Sequence, residues 1–186
     1  MIYSESANIS FLVMPKNASE SISRSLKEGF SRVSPKIKTL PNTTFICILR
    51  DPYERWISGT VEEFLYPSTD RYYTAGDMIK ILKKRLDNDS GIIHNSHTIM
   101  QCDIYKWKKF KTIEFYNLTP TTLRIIKDKH KCFDRIHNAH VSSRGKRLPY
   151  KLILTEWIYA NNHEQTIRNL LQRDYDFVSK IKFQNA

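Results

Sequence analysis

Residues 9–26, ISFLVMPKNASESISRSL, pass from an apolar run through PKNASES into a helical pattern. ISFLVM (9–14) is short, apolar and bounded by polar residues, as a buried strand would be. From Ser19 onward Ile22, Leu26 and Phe30 fall on one helical face. The junction carries a lysine among small polar residues and no glycine, the first glycine of the chain being Gly29. A strand running straight into a helix is the unit of an α/β domain.

The same step recurs downstream. TTFICILR (43–50) is a second apolar, β-branched run, and DPYERWISGTVEEFL (51–65) opens with Asp51 as N-cap and Pro52 at the first helical position. TAGDMIKILKKRL (74–86) has Thr74 as N-cap with Asp77 three residues on, and DNDSG (87–91) reads as a turn. KTIEFYNL (111–118) predicts a third strand, followed by a helix capped by Thr119 with Pro120 next. HNAHVSSRGKRLP (137–149) reads as a loop, and a long amphipathic helix is expected from about Tyr150 to Arg173. The expectation is one α/β domain over residues 1–186, three layers thick, with a mainly parallel central sheet.

Composition narrows the function classes. Thirty Lys and Arg against 19 Asp and Glu give a formal charge of +11, which favours anionic partners. KWKKFK (106–111) and SSRGKR (142–147) are modest basic clusters, and neither is a homeodomain, zinc-finger or RNA-recognition signature, so no specific nucleic acid is expected. Three cysteines lie at spacings unlike a metal site, and Cys47 sits inside an apolar run as a buried hydrophobe would. No basic-then-apolar leader and no run of about 20 apolar residues is present, so the reading is a reduced, cytoplasmic protein without a membrane span. The five N-x-S/T matches, at Asn8, Asn17, Asn42, Asn88 and Asn117, are read as having no role.

Two junctions are chemically loaded. Pro15-Lys16-Asn17-Ala18-Ser19-Glu20-Ser21 follows the first strand, and Arg50-Asp51-Pro52 follows the second, with Arg55 and Ser58 on the next helix. Each offers cations and hydroxyls beside backbone donors, where an anionic group such as a phosphate binds. Neither a Walker A loop nor G-x-G-x-x-G is present.

PKNASES resembles the loop that PAPS-dependent sulfotransferases, carbohydrate sulfotransferases especially, write as P-K-x-[AG]-S/T-x-S/T. ILRDPYERWISG resembles their second signature, R-D-P-[YF]-x-R-x-x-S. The resemblance implies a P-loop-like fold and sulfuryl transfer from PAPS (3′-phosphoadenosine 5′-phosphosulfate) to a hydroxyl, a carbohydrate's in those members. It implies that Lys16, Asn17, Ala18, Ser19, Glu20 and Ser21 hold the 5′-phosphosulfate, Lys16 also being catalytic. It assigns Arg50 and Ser58 to the 3′-phosphate. HVSSRGKRLP is similar to the late basic loop closing over the nucleotide, which adds Ser143, Arg144 and Lys146. HTIMQ (97–101) keeps the His and Gln spacing of an H-W-x-P-Q element, and RDYDFVSKIKF (173–183) resembles the family's C-terminal ending. No metal is expected.

Three residue-level readings stand beside the resemblance. Glu20, where the family usually carries Thr or Ser, reads as completing a capping box with Asn17. Arg50 and Arg55 could instead pair with Asp51 or Glu54 on the surface. Trp56 reads as core. For the general base His97 is chosen, with His94, Glu62 and Glu63 as alternatives. The competing functions are a sulfotransferase-fold protein that binds nucleotide or glycan without turnover, and a basic nucleic-acid-binding module. Acceptor identity and oligomeric state are not legible.

Overall fold

The computed structural model describes residues 1–33, 42–66, 73–87, 91–93, 97–137 and 144–185. The protein is α/β, and the chain packs as two compact units. The first comprises residues 1–50, 105–139 and 180–186, and the second residues 51–104 and 140–179.

The first unit is built on a five-stranded sheet. Its strands are β1 (Ile2–Ser4), β2 (Ile9–Phe11), β3 (Ser31–Arg32), β4 (Thr44–Leu49) and β5 (Ile113–Asn117), in the order β3-β1-β2-β4-β5. β4 is an interior strand, apolar and buried from Phe45 to Leu49, as a strand covered on both faces must be. It pairs in parallel with β2 (Phe11↔Ile46) and with β5 (Cys47↔Phe115). The sheet is mixed rather than mainly parallel, because β1 pairs antiparallel with both β2 and β3. Three residues, IYS, are too few to show a period, but Ile2 and Ser4 are both buried. The turn back to β2 closes with the Asn8 N–H on the Glu5 carbonyl at 3.1 Å, Asn8 taking a φ of 51°.

α1 (Ser19–Ser25) follows β2, and α5 (Thr122–His130) follows β5. Ile22, Leu123 and Ile126 join Phe11, Ile46, Ile48 and Tyr116 in one core, with Phe11 stacked on Phe133 at 5.6 Å between ring centres. α5 starts later than expected: Thr119 gives it no side-chain cap, and the Thr122 hydroxyl instead takes the Thr119 N–H (2.8 Å) and donates to the Asn117 carbonyl (2.6 Å).

The second unit is helical: α2 (Pro52–Leu65), α3 (Ala75–Leu86), α4 (Gln101–Ile104), α6 (Arg144–Ala160), α7 (Glu164–Leu170) and α8 (Gln172–Ser179). Both expected N-caps are present. The Asp51 carboxylate accepts the Glu54 N–H at 2.9 Å, and Thr74 with Asp77 forms a full capping box. Trp56, Phe64, Met78, Leu82, Leu154, Ile158 and Ile167 form its core, Trp56 as expected.

The last segment departs from its reading. The helix begins within the expected loop, at Arg144, and carries Pro149 inside it. It ends at Ala160, and beyond it Asn162 takes a φ of 57° while the N–H groups of Asn162 and His163 return to the carbonyls of Tyr159 and Ile158. This is a Schellman closure, which separates α6 from α7, and a second break at Leu171 separates α7 from α8. Most of the expected 87–91 turn, His94 and Ser143 lie outside the described residues.

Candidate functional site

The turn between β2 and α1 is shaped without glycine. Lys16 and Ala18 both adopt left-handed backbone, with φ of 66° and 61°. For non-glycine residues such a conformation costs about 1–2 kcal/mol each, and it persists only where neighbouring contacts impose it. One such contact is visible. Asn17 is almost fully buried, and its side-chain amide donates to the Ile48 carbonyl of β4 at 2.9 Å. Its backbone N–H closes the turn on Met14 at 3.2 Å. Asn17 is read from the sequence as one of the residues holding the anion, and its side-chain amide ties the turn to the neighbouring strand.

No capping box forms here. The N-cap of α1 is Ala18, without a side-chain cap, so Glu20 stands one position too early to close a box with Asn17. Glu20 instead accepts from Arg24 one turn along α1. Ser19 is half-buried and Ser21 buried at the first turn. Tyr105, which the sequence did not single out, donates its hydroxyl to the Val13 carbonyl at 2.8 Å. Burial, with the nearby Cys47, pushes its pKa far above the usual phenol value, so it remains a donor. Cys47 itself is fully buried, as read.

Arg50 is the first residue past β4, two positions beyond the Ile48 carbonyl that Asn17 grips. Within the first unit, the 15–18 turn and Arg50 thus follow adjacent parallel strands. Lys16 and Arg50 supply cations, and Ser19 and Ser21 hydroxyls, a donor set suited to a polyanion such as a phosphosulfate or phosphate.

The remaining candidates belong to the second unit. Ser58 is half-buried on α2. Arg55 is not a surface partner of Asp51 or Glu54: it is 2% exposed, and its guanidinium donates to the Ile99 carbonyl. Backbone packing brings His97 beside Gly59, the residue after Ser58; a Cβ on Gly59 would stand 2.2 Å from the His97 carbonyl oxygen. Two alternative bases are engaged by arginines, Glu62 by Arg147 at 2.7 Å and Glu63 by Arg85 at 2.8 Å. Lys146 is exposed in the first turn of α6, where Arg144 is the first residue.

Two weakly marked stretches of sequence meet in this unit. Asp174, 1% exposed, accepts the Cys102 N–H at 2.9 Å and the Gln101 side-chain amide at 3.3 Å. The HTIMQ and RDYDF elements are therefore partners, and Gln101 is a structural residue. Among the described residues no group of His, Cys, Asp and Glu is placed to hold a metal ion, and no helix is long and apolar enough to cross a membrane.

Compared with protein-family models, with characterised proteins and with solved structures, the chain matches none.

Proposed function

We propose that this protein is a PAPS-dependent sulfotransferase with a P-loop-like fold, transferring a sulfuryl group to a hydroxyl, that of a carbohydrate acceptor. The observation that carries the reading is the 15–18 turn. Its sequence has the form of a phosphosulfate loop, and two of its residues are held at positive φ beside the end of an interior parallel strand. Strained backbone of this kind clusters at ligand sites, and turns of this kind aim successive N–H groups at an anion.

In this reading the acceptor oxygen attacks sulfur in line as the bond to the bridging oxygen of the 5′-phosphate breaks, and PAP departs. Such transfer runs through a loose transition state, so positioning and charge stabilisation dominate. Lys16 neutralises charge growing on the bridging oxygen, Ser19 and Ser21 hold the 5′-phosphate, and Arg50 grips the 3′-phosphate. Ser58 as a second 3′-phosphate ligand, Arg144 and Lys146 as nucleotide contacts and His97 as base are carried by the sequence resemblance.

The test is calorimetry with PAP and 5′-AMP. PAP should bind more tightly by roughly 2–4 kcal/mol, and Arg50→Ala should remove most of that difference while leaving AMP binding little changed. Equal affinity of the unaltered protein for the two nucleotides would refute the assignment.

A second reading, nucleotide or glycan binding without turnover, is favoured by the engagement of Glu62 and Glu63 with arginines. Tight PAP binding with no labelled product across a glycan panel would select it.

A further inference from the structure

A pocket of about 550 Å³ opens in the first unit beside the 15–18 turn. Three chain segments reach it at one edge of the sheet. Val13 and Met14 run on past β2, and the pairing of Ile2 with both Phe11 and Arg32 brings the start of β1 and the end of β3 to the same edge. α1 supplies the fourth wall through Ser19, Glu20, Ser23 and Arg24. In open α/β sheets the crevice outside the carboxyl ends of parallel strands is where ligands bind, and the volume lies in the range of small-molecule sites.

The lining has two characters. Val13 and Val33, half-buried, supply the apolar surface for the C–H face of a sugar ring, with Ile2 and Met14 buried at the same wall, and the polar wall carries two arginines against one glutamate. Glu20 is engaged by Arg24. Arg32 is exposed on the two-residue β3 and has no carboxylate partner among the described residues. A guanidinium at the mouth of a half-apolar pocket recognises a carboxylate or sulfate through paired N–H donors.

We propose that this pocket is the acceptor site and that it takes an acidic sugar, with Arg32 reading the acid group. Its standing as an acceptor site rests on the sulfotransferase reading. Pro15 and Ser19, which flank Lys16 in the chain, line the pocket, so an acceptor held there lies next to the phosphosulfate loop.

The experiment is calorimetry on the full chain with three disaccharides, with and without saturating PAP. One contains glucuronate, one is an O-sulfated neutral disaccharide, and one is the neutral parent. At least one acidic disaccharide should bind about ten-fold or more tightly than the parent, and the better of the two identifies the group. Arg32→Ala should abolish that preference, Arg32→Lys should keep part of it, and PAP affinity should stay unchanged in both. Circular dichroism verifies that each variant is folded. Equal binding of acidic and neutral sugars, or a preference that survives Arg32→Ala, overturns the proposal. Failure of PAP to bind while the Arg32-dependent preference holds retains the acidic-sugar pocket and removes only the transfer reading.

Discussion

The side-chain amide of Asn17 donates to the main-chain carbonyl of Ile48 at 2.9 Å, which couples the turn after β2 to the last residues of β4. Both partners are buried, so the bond cannot be exchanged for water without rearrangement. A buried carbonyl that loses its donor costs about 1–3 kcal/mol. Asn17→Ala should therefore lower stability in urea by that amount. It should also weaken PAP binding, because the left-handed turn at Lys16 and Ala18 loses its anchor. Unchanged stability would show that the tie contributes nothing to the turn.

Lys16 has the opposite profile. If the protein transfers sulfuryl groups as proposed, the Lys16 charge matters most as the bridging oxygen becomes an anion, so Lys16→Ala should reduce turnover by roughly a hundred-fold or more while PAP affinity changes little. Single-turnover kinetics with labelled PAPS separates the two quantities. Near-normal turnover with any accepted sugar would remove Lys16 from the mechanism.

Gly59 is fixed by what lies against it. A methyl group there would meet the His97 carbonyl oxygen at 2.2 Å and its carbon at 2.8 Å, both backbone atoms that no rotamer change can move. Gly59→Ala should cost about 1–3 kcal/mol or more through overpacking, read as a fall in thermal midpoint. A neutral substitution would mean that the 97–101 segment does not pack on α2 as described.

What was legible in the sequence follows from the range of the forces involved. Asp51-Pro52 and Thr74 with Asp77 are helix starts written within four residues, and both are realised. β4 was readable because six consecutive residues are apolar or β-branched and share one environment. β1 was not, since three residues show no period and its antiparallel pairing depends on partners at Phe11 and Arg32. The break after α6 turns on the left-handed Asn162, whose local sequence NNH resembles any exposed helix surface. Asn17 and Ser19 looked equivalent in the loop, and only the tertiary contact with Ile48 separates a structural amide from candidate ligands. Asp174 lies in a stretch marked in the sequence only by its resemblance to a family ending, and its structural role depends on the convergence of Gln101 and the Cys102 N–H, 72 or more residues away in the chain.

Acid sensitivity should arise at Glu114. Burial tends to raise its pKa, but Lys129, Tyr116 and His130 all contact the carboxylate and hold it below the ordinary value of 4.5. A carboxylate with a depressed folded-state pKa adds stability that is complete above the unfolded value and is lost as pH falls through the folded one. The urea midpoint should therefore decline below pH 4.5. Glu114→Gln should start lower at neutral pH and lose less over the same interval. Parallel pH profiles for the two proteins would exclude Glu114 as the source.

The absence of glycine in PKNASES leads to the last prediction. Ala18 sits at φ 61° and ψ 19°, a region that glycine enters freely and an L side chain enters at a cost of about 1 kcal/mol or more. The resembled family loop admits either alanine or glycine at this position, and the left-handed turn supplies a reason for that pair. Ala18→Gly relieves the folded-state strain but gives the unfolded chain more freedom, worth about 0.4–1 kcal/mol, so the two effects should nearly cancel. Stability and PAP affinity should both remain close to those of the parent. Ala18→Val adds a β-branched side chain where such residues are steric outliers, and it should destabilise the fold by more than about 1 kcal/mol and weaken PAP binding. Urea denaturation and calorimetry on the two variants give four numbers. If valine is tolerated as well as glycine, the turn at residue 18 is not left-handed in solution, and the strained loop cannot be what marks this junction as the phosphosulfate site.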